Sequence, residues 1–309
     1  MTAVSALRDS VGDTRRSDLG VTLCWAVFTL WFAASLWGFL EPSSGGPPLL
    51  AQLLLLLFVA VHGYLSYGWR GTAAYVLIAG GVSMLMEITS VNFGFPFGFY
   101  THNTPGQLLG VPLIIPLVYA TLGWAPWVMA RLIVRDRPAT AGAASARFIT
   151  PVVAAFILTF YDFPSDPIGA TIAHAYTYRH PGGYFGVPLT NYLGWLLNGF
   201  VFYQLFALVE DWFAPPNRAA LSLPGYWLMP CLVTVTPVLR FIITYLGAPE
   251  GTASVEGRTF LISDIYESGI IASLMTVVFA VLIAVVRIYS GKPAVLADGA
   301  TPAEAAANR

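Results

Sequence analysis

The chain has 309 residues, 57% of them hydrophobic and only 10% charged, with a mean hydropathy of +0.69 and a formal net charge of −1. Soluble domains carry about 25% charged residues, so this chain lacks the charge to cover a water-facing surface, and a polytopic membrane protein is the expected class. The balanced charge and the lack of a basic run argue against nucleic acid as a partner, and Cys24 and Cys231, each inside an apolar run, form no CxxC metal or redox pattern.

The chain opens on a polar tail, 1–18, with Arg8, Arg15 and Arg16. The apolar run that follows is longer than a signal-peptide core and reads as an uncleaved first span. A spanning helix needs about 20 apolar residues, and eight stretches qualify: 19–40, 48–68, 72–91, 111–134, 148–166, 187–209, 226–247 and 269–289. The expected fold is therefore all-α, a polytopic membrane helical bundle of about eight spans forming one transmembrane domain over 19–289. A tail at 290–309, rich in Ala, Pro and polar residues, is expected to be disordered. With both termini in the cytoplasm, 12 of the 15 Lys and Arg fall on the cytoplasmic side, as the positive-inside rule requires. The expected location is the cell membrane, multi-pass, with the lipid bilayer as a partner.

This topology places loops 92–110 and 167–186 on the same, outer side. Each follows an acid in an apolar run, Glu87 in the first case and Asp162 in the second. Each runs into Gly-Val-Pro-Leu, at 110–113 and 186–189, and each is followed by Leu-Gly-Trp, at 122–124 and 193–195. Glu87 precedes Gly110 by 23 residues and Asp162 precedes Gly186 by 24. The shared order predicts a parallel internal repeat of spans three–four and five–six. Its two aromatic, Gly/Pro-rich loops would be re-entrant or interfacial, because non-helical backbone at membrane depth must be buried or line a cavity.

Ionisable groups inside a bilayer cost several kcal/mol unless paired or facing a cavity. Glu87, Asp162, Asp166 and Arg240 stand out on this ground. The three acids read as a set around a shared pocket, with Arg240 among the candidate substrate-binding residues, or all four read as interfacial groups and structural ion pairs, Arg240 with one acid among them. Asp162 and Asp166 are four apart and share a helix face if the helix survives Pro164. Two close carboxylates, or one in an apolar pocket, favour the protonated form. A protonated carboxyl is what an enzyme needs to donate a proton to a weak base such as an alkene.

The first loop, NFGFPFGFYTHNTPGQLLG, contributes Asn92, Phe97, Tyr100 and His102 as candidate substrate-binding residues. Its alternating Phe93, Phe95, Phe97 and Phe99 read as the wall of an apolar slot, as a π surface for a cation, or as an interfacial belt. The second loop contributes His174, Tyr176, Tyr178 and Tyr184. His174 and His180 are six apart, which is no helical ligand spacing, and a metal site needs two or three convergent ligands; no metal or cofactor is expected. Asn191 and Asn198 are seven apart on one helix face. They would hold a water or substrate oxygen, or bond to a neighbouring helix.

The chain shows no P-loop, no GxGxxG after a strand, no GxSxG and no HExxH. Its four histidines are too few for a membrane di-iron site. Cofactor-free acid–base chemistry on a lipophilic substrate, or no chemistry, is what these absences leave.

The pieces Glu87, Phe95-Pro96-Phe97-Gly98-Phe99-Tyr100 and Gly110-Val111-Pro112-Leu113, with Asp166-Pro167 and Gly183-Tyr184-Phe185-Gly186-Val187-Pro188-Leu189-Thr190-Asn191-Tyr192-Leu193-Gly194-Trp195, resemble the carotenoid biosynthesis membrane protein family over roughly residues 50–290. The family includes carotenoid 1,2-hydratases. The resemblance implies cofactor-free addition of water across the terminal double bond of an acyclic carotenoid, with Asp166 or Asp162 as the acid, Glu87 as partner carboxylate, and Asn191 and Tyr100 holding the water. After the Asp-Pro pair it leads one to expect Trp-x-Trp, where this chain has Ala173-His174-Ala175-Tyr176-Thr177-Tyr178. The expected partner is a lipophilic small molecule, carotenoid or polyketide-like, and other membrane enzymes of the same biosynthesis are further candidates. Acid–base cyclisation, spirocyclisation or isomerisation of another lipophilic natural product is the alternative. A transporter or binding protein with intramembrane acids is a third reading, of a different class.

Overall fold

The computed structural model describes residues 3–40, 49–134, 143–213 and 220–290, with side chains from residue 19 onward in the first segment and from 147 in the third. The predicted C-terminal tail lies, but for Ser290, outside the described residues. The apolar runs form helices because a bilayer offers backbone groups no water and a helix satisfies them internally. In order these are α1 (Ala3–Leu40), α2 (Leu49–Phe93), α3 (Ile115–Leu122), α4 (Trp124–Val134), α5 (Ala143–Pro167), α6 (Leu189–Val209), α7 (Pro224–Leu246), α8 (Ile262–Ser273) and α9 (Phe279–Tyr289). A π turn, Ile168–Ile172, continues α5, and another, Leu274–Val278, joins α8 to α9. Large side chains such as Leu77, Leu85, Phe279 and Val286 are exposed on the helix flanks, the surface a bilayer covers.

Seven helical segments among the described residues, rather than eight, are long and apolar enough to cross a membrane. The difference lies in α2, which joins the predicted spans 48–68 and 72–91 into 45 residues. Gly68, at φ 65 and ψ 179, interrupts it. A Cβ on Gly63 would stand 2.8 Å from Thr72 Cγ2, whereas nine residues of straight helix would separate them by roughly 13 Å. The chain therefore doubles back at Gly68 into two arms of about 19 and 25 residues, each long enough to span at ~1.5 Å per residue. A buried polar cluster braces this end. The Tyr67 hydroxyl donates to Glu210 Oε2 (2.6 Å) and accepts from Trp127 Nε1 (3.1 Å), and the Arg131 guanidinium lies 5.0 Å from the centre of the Tyr67 ring. The last span begins at Ile262; the apolar run begins only near 269 because Asp264 and Glu267 make the helix's first turns polar.

Three short two-stranded antiparallel sheets cap the other end of the helical bundle. β1 (Tyr100–His102) pairs with β4 (Tyr176–Tyr178), β2 (Gln107–Leu108) with β3 (Val111–Pro112), and β5 (Thr252–Val255) with β6 (Arg258–Leu261). β1 and β4 come from the two aromatic loops, so those loops are joined through their backbones. The main apolar core fills the bundle between α1, α2, α4, α5, α6, α7 and α9. A second cluster sits beneath the paired loops and is rich in phenols: Phe97, Tyr100, Tyr119, Tyr178, Val187 and Tyr192. Buried tyrosines bring hydroxyls that need partners, and those partners define the site.

Candidate active site

The repeat is visible in backbone geometry. In the first copy Leu108 pairs with Val111 across a two-residue turn, Leu109–Gly110, with φ of 52 and 86. In the second, Tyr184 pairs with Val187 across Phe185–Gly186, with φ of 48 and 90. Two successive left-handed residues make the turn that suits a two-residue hairpin, and glycine takes the second position in both. The interval between Gly110 and Gly186 also relates Tyr100 to Tyr176 and His102 to Tyr178. β1 and β4 pair as Tyr100↔Tyr178, Thr101↔Thr177 and His102↔Tyr176. The register maps onto itself when the copies are exchanged, with the two threonines at the centre of a local two-fold. Tyr119 and Trp195 follow the same interval and stack on each other, ring centres 4.7 Å apart. The extra residue between Asp162 and Gly186 is taken up by the π turn Ile168–Ile172, since a π turn holds one residue more than an α turn. The shared Leu-Gly-Trp is not part of this symmetry: Gly123 sits at the break between α3 and α4, whereas Gly194 lies within α6 against the Phe97 ring.

The three acids converge beneath the β1–β4 ladder, and all are buried. Glu87, on the second arm of α2, accepts hydrogen bonds from the Tyr100 hydroxyl at Oε2 and from the Tyr119 hydroxyl at Oε1 (3.1 Å), and His102 Nε2 lies 3.3 Å from Oε2. Asp166 accepts from the hydroxyls of Tyr176 (2.5 Å) and Tyr178 (2.9 Å). α5 stays helical through Pro164, which packs against Gly269 of α8, so Asp162 and Asp166 do share one face. A single amide spans them: Asn191 Nδ2 donates to Asp162 Oδ2 (2.7 Å) and to Asp166 Oδ2 (2.5 Å). Asp162 Oδ1 is buried without a partner, as is the Tyr192 hydroxyl. Rings join the two halves: Tyr100 lies 5.7 Å from Tyr178 and His102 lies 6.2 Å from Tyr176.

The phenols of the ladder are held neutral. Burial, then the adjacent Glu87 charge, pushes the Tyr100 phenol well above its ordinary range. Burial, then Asp166, does the same to Tyr176 and Tyr178. They serve as hydrogen-bond donors and not as bases.

Several candidates take other places. Asn92 is exposed and its amide caps Ile88 O (2.8 Å) and reaches Leu109 O (3.3 Å), tying the first hairpin to α2. Asn198 is engaged by Ser83, with Nδ2 donating to Ser83 Oγ (3.0 Å), which joins α6 to α2. Asn191 clamps carboxyls instead of presenting its Nδ2 to water. The His174 side chain is exposed, outside the acid cluster, in a left-handed conformation (φ 50). Tyr184 packs against Phe163 and Tyr192 at the edge of the cluster. Of the four phenylalanines only Phe97 turns inward, at 1% exposure, while Phe93 and Phe95 are more than 60% exposed, as in an interfacial belt. Arg240 pairs with no acid among the described residues and lines a separate cavity. Sequence reasoning missed Tyr119, Tyr192 and Trp195; the available signal was a phenol within an apolar span, which needs a partner for its hydroxyl. Among the described residues no three His, Cys, Asp or Glu side chains are grouped to hold a metal ion.

Fold and site define a polytopic helical membrane protein with a buried carboxyl cluster roofed by two paired, repeated loops. A family model described as "Carotenoid biosynthesis protein" matches residues 48–248, which include all three acids, and the chain belongs to that family. It is 26% identical over 193 residues to the bisanhydrobacterioruberin hydratase of Haloarcula japonica, covering 59% of this chain and 60% of that one. The chain thus spans about 60% of the length of the curated relative it matches. No solved structure matches it.

Proposed function

We propose that the protein is a cofactor-free hydratase that adds water to the terminal double bond of an acyclic carotenoid or similar lipophilic polyene. The observation that carries this reading is the clamped carboxyl pair, with Asp162 Oδ1 as its one unpartnered oxygen. Asp166 is engaged as an acceptor by two phenols and an amide, which supports Asp162 rather than Asp166 as the proton donor. Its O–H bond breaks as the alkene π pair forms a C–H bond at the less substituted carbon, leaving a tertiary cation. The faces of Tyr100, Tyr119 and Trp195 and the charge of Glu87 stabilise that cation. A water lone pair then forms the C–O bond, and the proton the water loses returns to the carboxylates. The net change is one water added, with the acid regenerated. The loops face the outside of the cell membrane and both termini lie in the cytoplasm, in keeping with the distribution of positive charge.

The test is carotenoid analysis in a lycopene-producing host with and without the protein. A product heavier than lycopene by one water, labelled when the water is labelled, is the expected result. Its absence on expression of folded protein removes the hydratase reading, and an isomer of unchanged mass would point instead to cyclisation or double-bond migration. Activity that persists in detergent, without a membrane gradient, separates either from transport.

A further inference from the structure

A cavity of about 260 Å³ lies beside the acid cluster, walled by α1, α2, α3, α5 and α7. Its wall is largely apolar, as at Trp31, Leu55, Leu122 and Phe241, and no carboxylate lines it. Arg240 does line it, inside α7 and six residues short of the helix end. A cation within a span ordinarily has an acid partner or a functional role. Arg240 has no ion pair among the described residues; its charge is felt by the phenols of Tyr161 and Tyr266. Tyr161 and Ser165 reach the same cavity from α5, one helix face away from Asp162 and Asp166. Gly169 forms the boundary: it lines the cavity, and a Cβ there would stand 2.5 Å from the Tyr176 hydroxyl, which itself binds Asp166.

We infer that this cavity is a binding subsite for the oxygen-bearing end of a lipophilic chain, with Arg240 holding a carboxylate or comparable anionic oxygen. Charge complementarity supports this occupant. The acid cluster repels an anion, while the guanidinium, on a cavity that no carboxylate lines, has no anionic partner among the described residues. An anion at Arg240 lets the apolar length of the chain lie along the cavity wall. The inference rests on the proposed function only in taking the natural ligand to be a lipophilic polyene, and adds to it an oxygen-bearing end that lycopene lacks; binding is measured without turnover.

The probe is parinaric acid, a fluorescent conjugated polyene carboxylic acid, titrated against purified protein in neutral detergent beside its methyl ester. The acid is expected to bind saturably and at least ~10-fold more tightly than the ester, the scale of one charge-assisted hydrogen bond. Arg240→Gln should abolish that preference and leave ester binding unchanged, which also reports that the variant is folded, and Arg240→Lys should restore part of it. Equal affinity for acid and ester, or an undiminished preference in Arg240→Gln, overturns the inference. Displacement of the acid by equimolar phosphatidylglycerol as effectively as by unlabelled polyene acid overturns it in favour of a lipid headgroup. A chain that binds the acid without hydrating carotenoids refutes only the proposed reaction; one that hydrates them without binding the acid refutes only this subsite.

Discussion

Replacing Asn191 with leucine tests the arrangement where it is most concentrated. One amide nitrogen donates both its hydrogens to carboxyl oxygens, at 2.7 Å to Asp162 and 2.5 Å to Asp166. Leucine keeps approximate volume and removes both bonds. A hydrogen bond to a charged group contributes about 1.5–3 kcal/mol and one to a neutral group about 0.5–1.5 kcal/mol. With one carboxyl of each kind, the expected loss of stability is about 2–4 kcal/mol, because Asn191 is buried and no water replaces it. Turnover should fall further than stability suggests, by about 100-fold or more, since the proton donor loses its fixed position. The assay pairs thermal unfolding in detergent with carotenoid conversion at a temperature where the variant is folded. Asn191→Asp serves as the companion: it keeps the shape but adds a third acid to the pair, and should be at least as inactive. Turnover of folded Asn191→Leu within about threefold of the parent, less than ~0.7 kcal/mol of barrier, would refute the idea that the clamp positions the acid.

Asp162→Asn and Asp166→Asn should each reduce conversion by about 100-fold or more while the protein still inserts, and full activity in Asp162→Asn would remove it as the proton donor. Thr101→Pro deletes a backbone donor at the centre of the β1–β4 ladder. The flanking bonds Asn103 N to Ala175 O and Arg179 N to Phe99 O make Thr101↔Thr177 a hydrogen-bonded pair; conversion should drop with proline and survive Thr101→Val, whose side chain is equally exposed, and equal activity in the two would show that the loops need not be joined. Because the pKa values of Tyr100, Tyr176 and Tyr178 are raised above the unfolded value near 10, what these phenols contribute to stability is fully present below about pH 10 and is lost only above it. Tyrosinate absorbance should therefore show them un-ionised at about pH 10, and their ionisation at that pH would contradict the burial. Gly68→Ala should destabilise by about 1–3 kcal/mol although nothing lies within 4 Å of the added methyl, because φ 65 with ψ 179 is open only to glycine; unchanged thermal stability would count against the reversal there.

What the sequence makes legible is what the bilayer dictates. Apolar runs of sufficient length mark the spans, and the break between the second and third falls at Gly68 because glycine and the polar Trp69-Arg70-Gly71-Thr72 stretch interrupt the hydrophobic run. The acids are legible for the same reason, as charges placed where charge is costly. Loop pairing is not, because β1 and β4 are three residues each and 73 residues (103–175) separate His102 from Tyr176, too short and too distant for any periodicity to register. Partner choice is also hidden. Asn191 and Asn198 look alike on one helix face, yet one meets two carboxyls and the other a serine, since the outcome depends on what α5 and α2 present at each level.

The repeat explains why the site is asymmetric in the way it is. A local two-fold carries Tyr100 onto Tyr176 and His102 onto Tyr178, and each strand delivers two hydrogen-bonding side chains to an acid of its own copy, Glu87 in the first and the added Asp166 in the second. The copies then diverge. The first offers one carboxyl, held by Tyr100, Tyr119 and His102. The second adds Asp166 one helical turn beyond Asp162, and places a π turn immediately after it. Trp195 stands where the first copy has Tyr119, so Asp162 has no phenol of that kind to occupy its Oδ1. Duplication followed by these changes sets a carboxyl group held by three side chains against a carboxyl pair with a free oxygen, the division of roles that the proposed protonation of an alkene and stabilisation of the resulting cation would use.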